Sequence, residues 1–418
     1  MTATRRRFEK GQNTKSPSAG RTPAEDVVLR YALLRWFQRH GRSLPWRDAA
    51  SPYAIWVSEV MLQQTQVATV IPFYQRFIGA FPTVERLAAA PLERVLEIWS
   101  GLGYYGRARL MHRAAKEIVA RFKGEFPADY GMARSLPGVG DYTARAVLSI
   151  AYSQPFAVLD GNVARVVARL RARKGNIQQK SFRHTVEKDL ASLLSPRRPG
   201  DFNQALMQLG QLVCLPRAPQ CDLCPLRSPC RARRLGTPED FPGPRPRRGA
   251  ELHYLAAAVL RQGARVALVR GLDDGLLDGL WNFPAAFGRS RQAARKALAE
   301  RIGQLFPQGC LQRKSSASVT HNITHRFIQV DIYPGELPGR QTKRALIAKV
   351  QRRDSSNAGQ EDSIRWIALR RLNRAAVSRL ACKIAGELKS GAQGEPMQFQ
   401  GLCPADSDPS WLTTKYSG

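Results

Sequence analysis

Four cysteines within 17 residues, spaced Cys214-x6-Cys221-x2-Cys224-x5-Cys230, constrain this chain more than any other feature. Four thiolates that close in sequence can wrap one compact metal centre, and cysteine is the soft ligand of both iron–sulfur clusters and structural zinc. Zinc ribbons usually hold two C-x2-C knuckles apart across a longer hairpin. Here a single C-x2-C lies between two nearby outer cysteines, a spacing that favours a 4Fe–4S cluster over zinc or unligated thiols. Only three further cysteines occur in 418 residues, too few for a secreted disulfide framework, so a reducing, cytoplasmic setting is expected. Arg217, Arg227, Arg231, Arg233 and Arg234 stud the same segment, either to meet phosphate or as a solvated face.

The charge balance points to a polyanion. Sixty-five Lys and Arg against 33 Asp and Glu leave a net charge of +32, a surplus that repels itself unless it serves a partner such as nucleic acid. A membrane surface is the rival, but no apolar run approaches the roughly 20 residues of a bilayer span. Nor is there a basic amphipathic helix beside an apolar anchor. Residues 1–22 are basic, lack the apolar core of a secretion signal, and read as a disordered arm.

From residue 23 to about 235 the pattern is helical, with Pro- and Gly-marked turns at Phe81-Pro82, Ala90-Pro91, Gly101-Leu102-Gly103 and Phe126-Pro127. Residues 236–250 are Pro-rich and read as an extended linker. Beyond it the period changes. Leu252–Leu260, Val266–Arg270 and Phe327–Tyr333 read as strands, and Gln292–Ile302 as a helix. The expectation is an all-α first part and an α+β second part over 251–390, followed by a polar tail over 391–418.

Three further features carry chemistry. Leu136-Pro-Gly-Val-Gly140 lies between two helical stretches. Gly138 and Gly140 let the turn take positive φ, and with Val139 it can offer its amides to a phosphate at the start of the next helix. Glu59 sits in the apolar run Ile55–Leu62, where desolvation would raise its pKa and let it hold a proton near neutrality. A structural glutamate paired with an arginine is the competing reading. Asp160, in Val158-Leu-Asp-Gly-Asn162, precedes a helix, and by spacing alone is an N-cap.

Taken together these residues resemble the helix-hairpin-helix glycosylases of the endonuclease III superfamily, and within it the MutY-type adenine glycosylases. The resemblance is carried by Leu44-Pro-Trp-Arg47, Ser58-Glu-Val-Met-Leu-Gln-Gln-Thr-Gln-Val67, Gly101-Leu-Gly-Tyr-Tyr105, Leu136-Pro-Gly-Val-Gly140, Val158-Leu-Asp-Gly-Asn-Val163 and Phe202-Asn-Gln-Ala-Leu-Met-Gln-Leu-Gly210. It implies a six-helix barrel over about 45–154 and a cluster module from 23–44 and 155–235, with one 4Fe–4S cluster on Cys214, Cys221, Cys224 and Cys230. It also implies double-stranded DNA as partner, acted on by a monomer in the bacterial cytoplasm at the nucleoid. The substrate implied is adenine opposite 8-oxoguanine or G, flipped out of the duplex.

By the same resemblance Glu59 protonates adenine, Asp160 stabilises the oxocarbenium-like sugar, and Tyr142 and Asn162 position the pair. Strand-cutting relatives carry a Schiff-base lysine where Tyr142 stands, so a monofunctional enzyme is implied. Gln64, Leu102 and Tyr104 match residues that wedge the duplex, and Arg47, Trp46 and Leu62 match the wall of the adenine pocket. Gly279-Leu-Trp-Asn-Phe-Pro284 resembles a Nudix-type fold. Its helix over Gln292–Ile302 offers Glu300 alone where an active Nudix hydrolase needs a carboxylate set for Mg²⁺. The family reads 8-oxoguanine through a Phe-Ser-His loop; here Ile323-Thr324-His325 stands in its place. The competing readings are an endonuclease III-like pyrimidine glycosylase, a non-catalytic damage binder and an electron-transfer ferredoxin.

Overall fold

A computed structural model describes residues 23–47, 51–243, 251–270, 280–323, 326–337, 364–374 and 377–390. The basic arm, the polar tail, Gly279, and Thr324 with His325 lie outside the described residues. The helices in order are α1 (Pro23–His40), α2 (Pro52–Leu62), α3 (Val67–Ala80), α4 (Val84–Ala89), α5 (Leu92–Trp99) and α6 (Tyr105–Phe122). They continue as α7 (Tyr130–Ser135), α8 (Asp141–Ala151), α9 (Gly161–Arg171), α10 (Lys180–Leu193), α11 (Pro199–Leu212) and the short α12 (Arg231–Arg234). The chain divides into two compact units. One takes in residues 1–56, 128–135 and 139–245; the other takes in 57–127, 136–138 and 246–418.

In the first unit, α1 shows how local sequence and packing agree. Pro23 stands at its start, Glu25 and Asp26 occupy its first turn, and Arg39 and His40 its last, each matching the helix dipole. Leu29, Leu33 and Phe37, spaced at four residues, bury one face against apolar residues of α9, α10 and α11. Asp26 is buried with Arg171 of α9 at 3.1 Å. Residues 237–243, expected as part of an extended linker, are folded instead. Pro238–Asp240 form a 3-10 turn, Phe241 is buried, and its carbonyl accepts from Arg169 Nε at 3.0 Å. A buried aromatic and a satisfied carbonyl overrode the proline-rich composition.

In the second unit, α3, α5 and α6 surround an aromatic centre in which Phe77 meets Phe81 and Trp99 edge to face. The region beyond 250 is built on β1 (Glu251–Gln262), β2 (Arg265–Arg270), β3 (Trp281–Asn282), β4 (Ala285–Gly288), β5 (Cys310–Leu311), β6 (Ala317–Ile323), β7 (Arg326–Glu336) and β8 (Arg365–Ala368). It also carries α13 (Arg291–Leu305) and α14 (Arg379–Ser390). β1 runs parallel to β7 from Glu251↔Arg326 to Arg261↔Glu336, and antiparallel to β4 and β2. Both faces of β1 are covered. Leu255, Ala257 and Val259 pack with the α14 side chains Leu380, Ile384 and Leu388, while Ala256, Ala258 and Leu260 pack with Ala294, Leu298 and Ile302 of α13. A strand buried on both faces reads as one continuous apolar run, which Leu255–Leu260 is.

Candidate active site

In the turn between α7 and α8 only one of the two hairpin glycines takes the positive φ expected of both; Gly140 stays at φ −82°. Gly138 takes φ +75°, and a Cβ there would lie 2.7 Å from Leu110 Cβ, so glycine is required twice over. Val139 is buried, anchoring the turn, while Gly138 and Gly140 are exposed. Gly140 caps α8 through extended backbone with no side-chain bond, which leaves the first-turn amides facing outward.

Asp160 stands immediately before α9 and does cap it. Its Oδ1 accepts from the Val163 amide at 2.6 Å, and Oδ2 accepts from Asn162 Nδ2 at 3.3 Å. Burial pushes its pKa above the ordinary carboxylate value, against the lowering effects of those two donors and of the Arg165 charge. The result is a desolvated carboxylate held in one orientation by fixed donors. Tyr142, in the first turn of α8, is half-buried, its hydroxyl 4.0 Å from Met207 Sδ on α11.

Two arginines that sequence reasoning missed tie this turn to the cysteine segment. Arg165 donates from Nη2 to Asn162 Oδ1 at 3.0 Å and to the Gly210 carbonyl at 2.7 Å, and from Nε to the Cys214 carbonyl at 2.8 Å. One turn on, Arg169 approaches Cys214 Sγ at 3.3 Å and donates to the Leu215 and Pro216 carbonyls. The signal was present as two arginines four apart on an otherwise apolar helix face. Gly210 permits the close approach of α11, since a Cβ there would stand 2.7 Å from Asn162 Cβ.

Cys214, Cys221, Cys224 and Cys230 are free thiols, and Cys214, Cys224 and Cys230 pack against the apolar cluster that α9 lines. Burial pushes the Cys224 thiol up to about 12 and raises Cys221 and Cys230, and negative charge on neighbouring cysteines of the set adds to each shift. The four sulfurs are therefore near enough to feel one another. Among the described residues, no three His, Cys, Asp or Glu side chains converge closely enough to hold a metal ion as they stand. The donor chemistry nonetheless fits a sulfur-bound centre: four soft ligands in low dielectric whose charged forms need a cation beside them.

Glu59 lies on α2, where every residue from Tyr53 to Met61 is buried; Glu59 itself is 6% exposed. Arg107 of α6, also missed from sequence, closes the end of that helix. Its Nη1 donates to the carbonyls of Val60, Met61 and Gln63 at 2.8, 2.8 and 2.6 Å. Its Nη2 reaches Thr65 Oγ1 and the Gly103 carbonyl, and the guanidinium stacks on Trp99 and Tyr104. Desolvation pulls its pKa down to about 10.

Arg107 thereby joins the two loops that hold the wedge candidates. Gln64 and Tyr104 are exposed and both take positive φ, 56° and 51°, a conformation non-glycine residues rarely adopt. Leu102, expected with them at the DNA, is 6% exposed. It lies between Gly101 and Gly103 and as it stands fills the loop from inside. Trp46 is buried and Leu62 half-buried. Arg47 is engaged within its own unit, donating to Gln204, Gln208 and the Arg42 carbonyl and stacking on Phe37.

In the sheet region, Ile323 ends β6 half-buried, one residue before the undescribed pair. His321 on the same strand is buried; burial, with the charges of Lys383 and Arg379, pulls its pKa down to about 4, so it is neutral at pH 7. Glu300 is the one carboxylate of α13.

Residues 57–192 match the HhH-GPD superfamily of base excision DNA repair proteins. The chain is similar to the adenine DNA glycosylase of Homo sapiens, 34% identical over a span covering 87% of this chain and 74% of that one. That span necessarily takes in much of the sheet region. The adenine DNA glycosylase of Mus musculus is 36% identical, covering 74% of this chain and 71% of its own. That of Arabidopsis thaliana is 38% identical, covering 75% and 58%. The chain therefore belongs to the adenine DNA glycosylases of the HhH-GPD superfamily, enzymes of base excision repair that remove adenine from DNA.

Proposed function

We propose that the substrate is adenine opposite 8-oxoguanine, or opposite G, in duplex DNA, and that excision is hydrolytic and leaves an abasic site with the strand intact. The observation that carries the reaction type is Asp160, half-buried and oriented by the Val163 amide and Asn162. A carboxylate desolvated in that way stabilises positive charge that develops on the sugar as the C1′–N bond breaks. Glu59, immersed in an apolar helix, supplies the proton that adenine needs to leave as a neutral base. Water then adds at C1′ and returns a proton to solvent or to a carboxylate. Tyr142 and Asn162 position the reacting groups. Tyrosine cannot form the Schiff base that strand cutting needs, which supports a monofunctional reaction.

The finer assignments follow the resemblance residue by residue. Gly138, Val139 and Gly140 hold a phosphate through backbone amides, and the net charge of +32 supports long-range capture of the duplex. By that resemblance Gln64 and Tyr104 wedge the base stack, with Leu102 buried inside the loop that carries Tyr104, and Arg47, Trp46 and Leu62 match the wall of the adenine pocket. The turn after Ile323, with Thr324 and His325, reads the opposing lesion. Cys214, Cys221, Cys224 and Cys230 hold one 4Fe–4S cluster, which supplies a structural brace for the basic loop and for α9. The enzyme acts as a monomer in the cytoplasm, at the nucleoid.

The test is single-turnover excision on duplexes with A opposite 8-oxoguanine, G and T, with and without hot alkali. Free adenine from the first two, with strand breaks only after alkali, is the expected result. Breaks before alkali overturn the monofunctional assignment, and equal rates opposite all three overturn the lesion reading. Iron and inorganic sulfide at four each per chain, lost on Cys→Ser substitution, test the cluster.

A further inference from the structure

The sheet region meets the wedge loop at the Tyr105 hydroxyl. Tyr105 follows Tyr104 directly, and its ring is buried. Three groups surround its Oη: the Gly101 amide at 3.2 Å, Ser100 Oγ at 3.4 Å and the Val377 carbonyl at 3.2 Å. Proton counting fixes their directions. The amide can only donate and the carbonyl can only accept, so the phenolic proton goes to Val377 and the Ser100 hydroxyl donates to Tyr105. The oxygen is fully satisfied, and only while Val377 is in place.

The loop it closes needs such support. Gly101 and Gly103 take φ +99° and +83°, and Tyr104 takes +51°, a left-handed conformation that is unfavourable for a non-glycine residue. A second tie lies at the other end of the same segment. Glu93, in the first turn of α5, receives Arg365 Nη1 at 2.6 Å and Trp281 Nε1 at 3.5 Å. Trp281 in turn pairs with Val377 in a parallel bridge and accepts the Ser378 amide at its carbonyl.

Val377 leads straight into α14. Ser378 caps that helix through Oγ to the Ala381 amide, and one turn on Lys383 Nζ donates to the Thr320 carbonyl on β6 at 2.8 Å. Thr320 is three residues from Ile323, where the reader turn begins. A continuous set of bonds therefore runs from β6 through Lys383 and α14 to Val377, and from Val377 through Tyr105 to the wedge loop.

We infer that Tyr105 is a specificity-determining positioning residue: its hydroxyl latches the wedge loop to the sheet region, so that what the β6–β7 turn meets on one strand sets the loop that opens the other. The effect on lesion preference rests on the reading of that turn as the 8-oxoguanine reader. The latch itself rests on the bonds described.

Two variants of the full-length holoenzyme test it, Tyr105→Phe, which removes one oxygen, and Lys383→Met, which lies on an exposed helix face far along the chain. Amide exchange over residues 99–105 without DNA is measured first. Faster exchange is expected in both variants; an unchanged loop in Lys383→Met overturns the coupling whatever the lesion preference. Next comes the ratio of single-turnover rates for A opposite 8-oxoguanine and A opposite G. Loss of one net hydrogen bond predicts a fall in that ratio of about two- to tenfold in each variant, with no further fall in the double variant. Equal losses on both duplexes reduce Tyr105 to a general support for the loop and overturn the inference. If the wild type makes no distinction between the duplexes, the reader assignment fails and the exchange result alone decides the latch.

Discussion

The turn at Asp160 and the helix around Glu59 treat the same functional group in different ways. Asp160 is half-buried and surrounded by donors, the Val163 amide and Asn162, with Arg165 fixing Asn162 from behind. Glu59 lies in an unbroken run of buried residues on α2, a helix whose end is closed by Arg107. At Asp160 fixed donors orient the carboxylate while burial, the larger effect, raises its pKa, whereas Glu59 is enclosed by an apolar helix; the difference teaches that one fold can desolvate two carboxyls by different means.

The largest test of that contrast is direct substitution. Glu59→Gln and Asp160→Asn should each cost at least about a thousandfold in single-turnover adenine release, the scale of losing an acid or a charge stabiliser. DNA affinity should hold within a fewfold by gel shift. If Glu59→Gln retained turnover while Asp160→Asn did not, Glu59 would return to a structural role and the contrast would collapse.

Removing the supports should separate the two regions next. Arg107→Met leaves the Val60, Met61 and Gln63 carbonyls without their cation, and should destabilise the fold by about 2–4 kcal/mol in urea titration. Arg165→Met frees Asn162 and should lower the excision rate about tenfold, at smaller cost in stability. Equal effects of the two on rate and stability would mean that α9 and α2 are not separately supported.

The smallest effect concerns protons. Asp160 has a raised pKa in the fold, chiefly through burial. Such a carboxylate favours folding below its unfolded pKa, and that contribution is lost as pH rises through the folded value. Above its unfolded pKa the group therefore works against stability, and Asp160→Asn, which can still cap α9, should raise Tm by a few degrees at neutral pH while abolishing excision. The same raised pKa predicts that wild-type excision fades on acidification with a midpoint above the usual 3.9 or so of aspartate. A lowered Tm for Asp160→Asn at neutral pH would contradict the desolvation account.

Much of this was legible without coordinates. The α1 pattern, the strands at β1, β2 and β7 and the helix at α13 follow from periodicity, because a face that must be buried repeats at the period of its element. Asp160 was legible both as a cap and, through resemblance, as a reacting group, and the fold makes it a cap without removing it from a desolvated turn. β4, β6 and α14 were not legible: β6 is exposed at alternate positions and carries little apolar signal, and its pairing to β7 is long-range information.

The sequence by itself determined the charge, the cysteine set, the hairpin glycines and the two carboxylates, because each depends on residue type and on neighbours a few positions away. Only the tertiary structure decided what holds them. That Arg107 serves both the end of α2 and the Gly103 loop, that Arg165 joins Asn162 to the Cys214 carbonyl, and that Tyr105 meets Val377, are facts about residues as many as 272 apart. A hydrogen bond needs atoms within about 3 Å, and no local pattern in a chain says which distant carbonyl will arrive there.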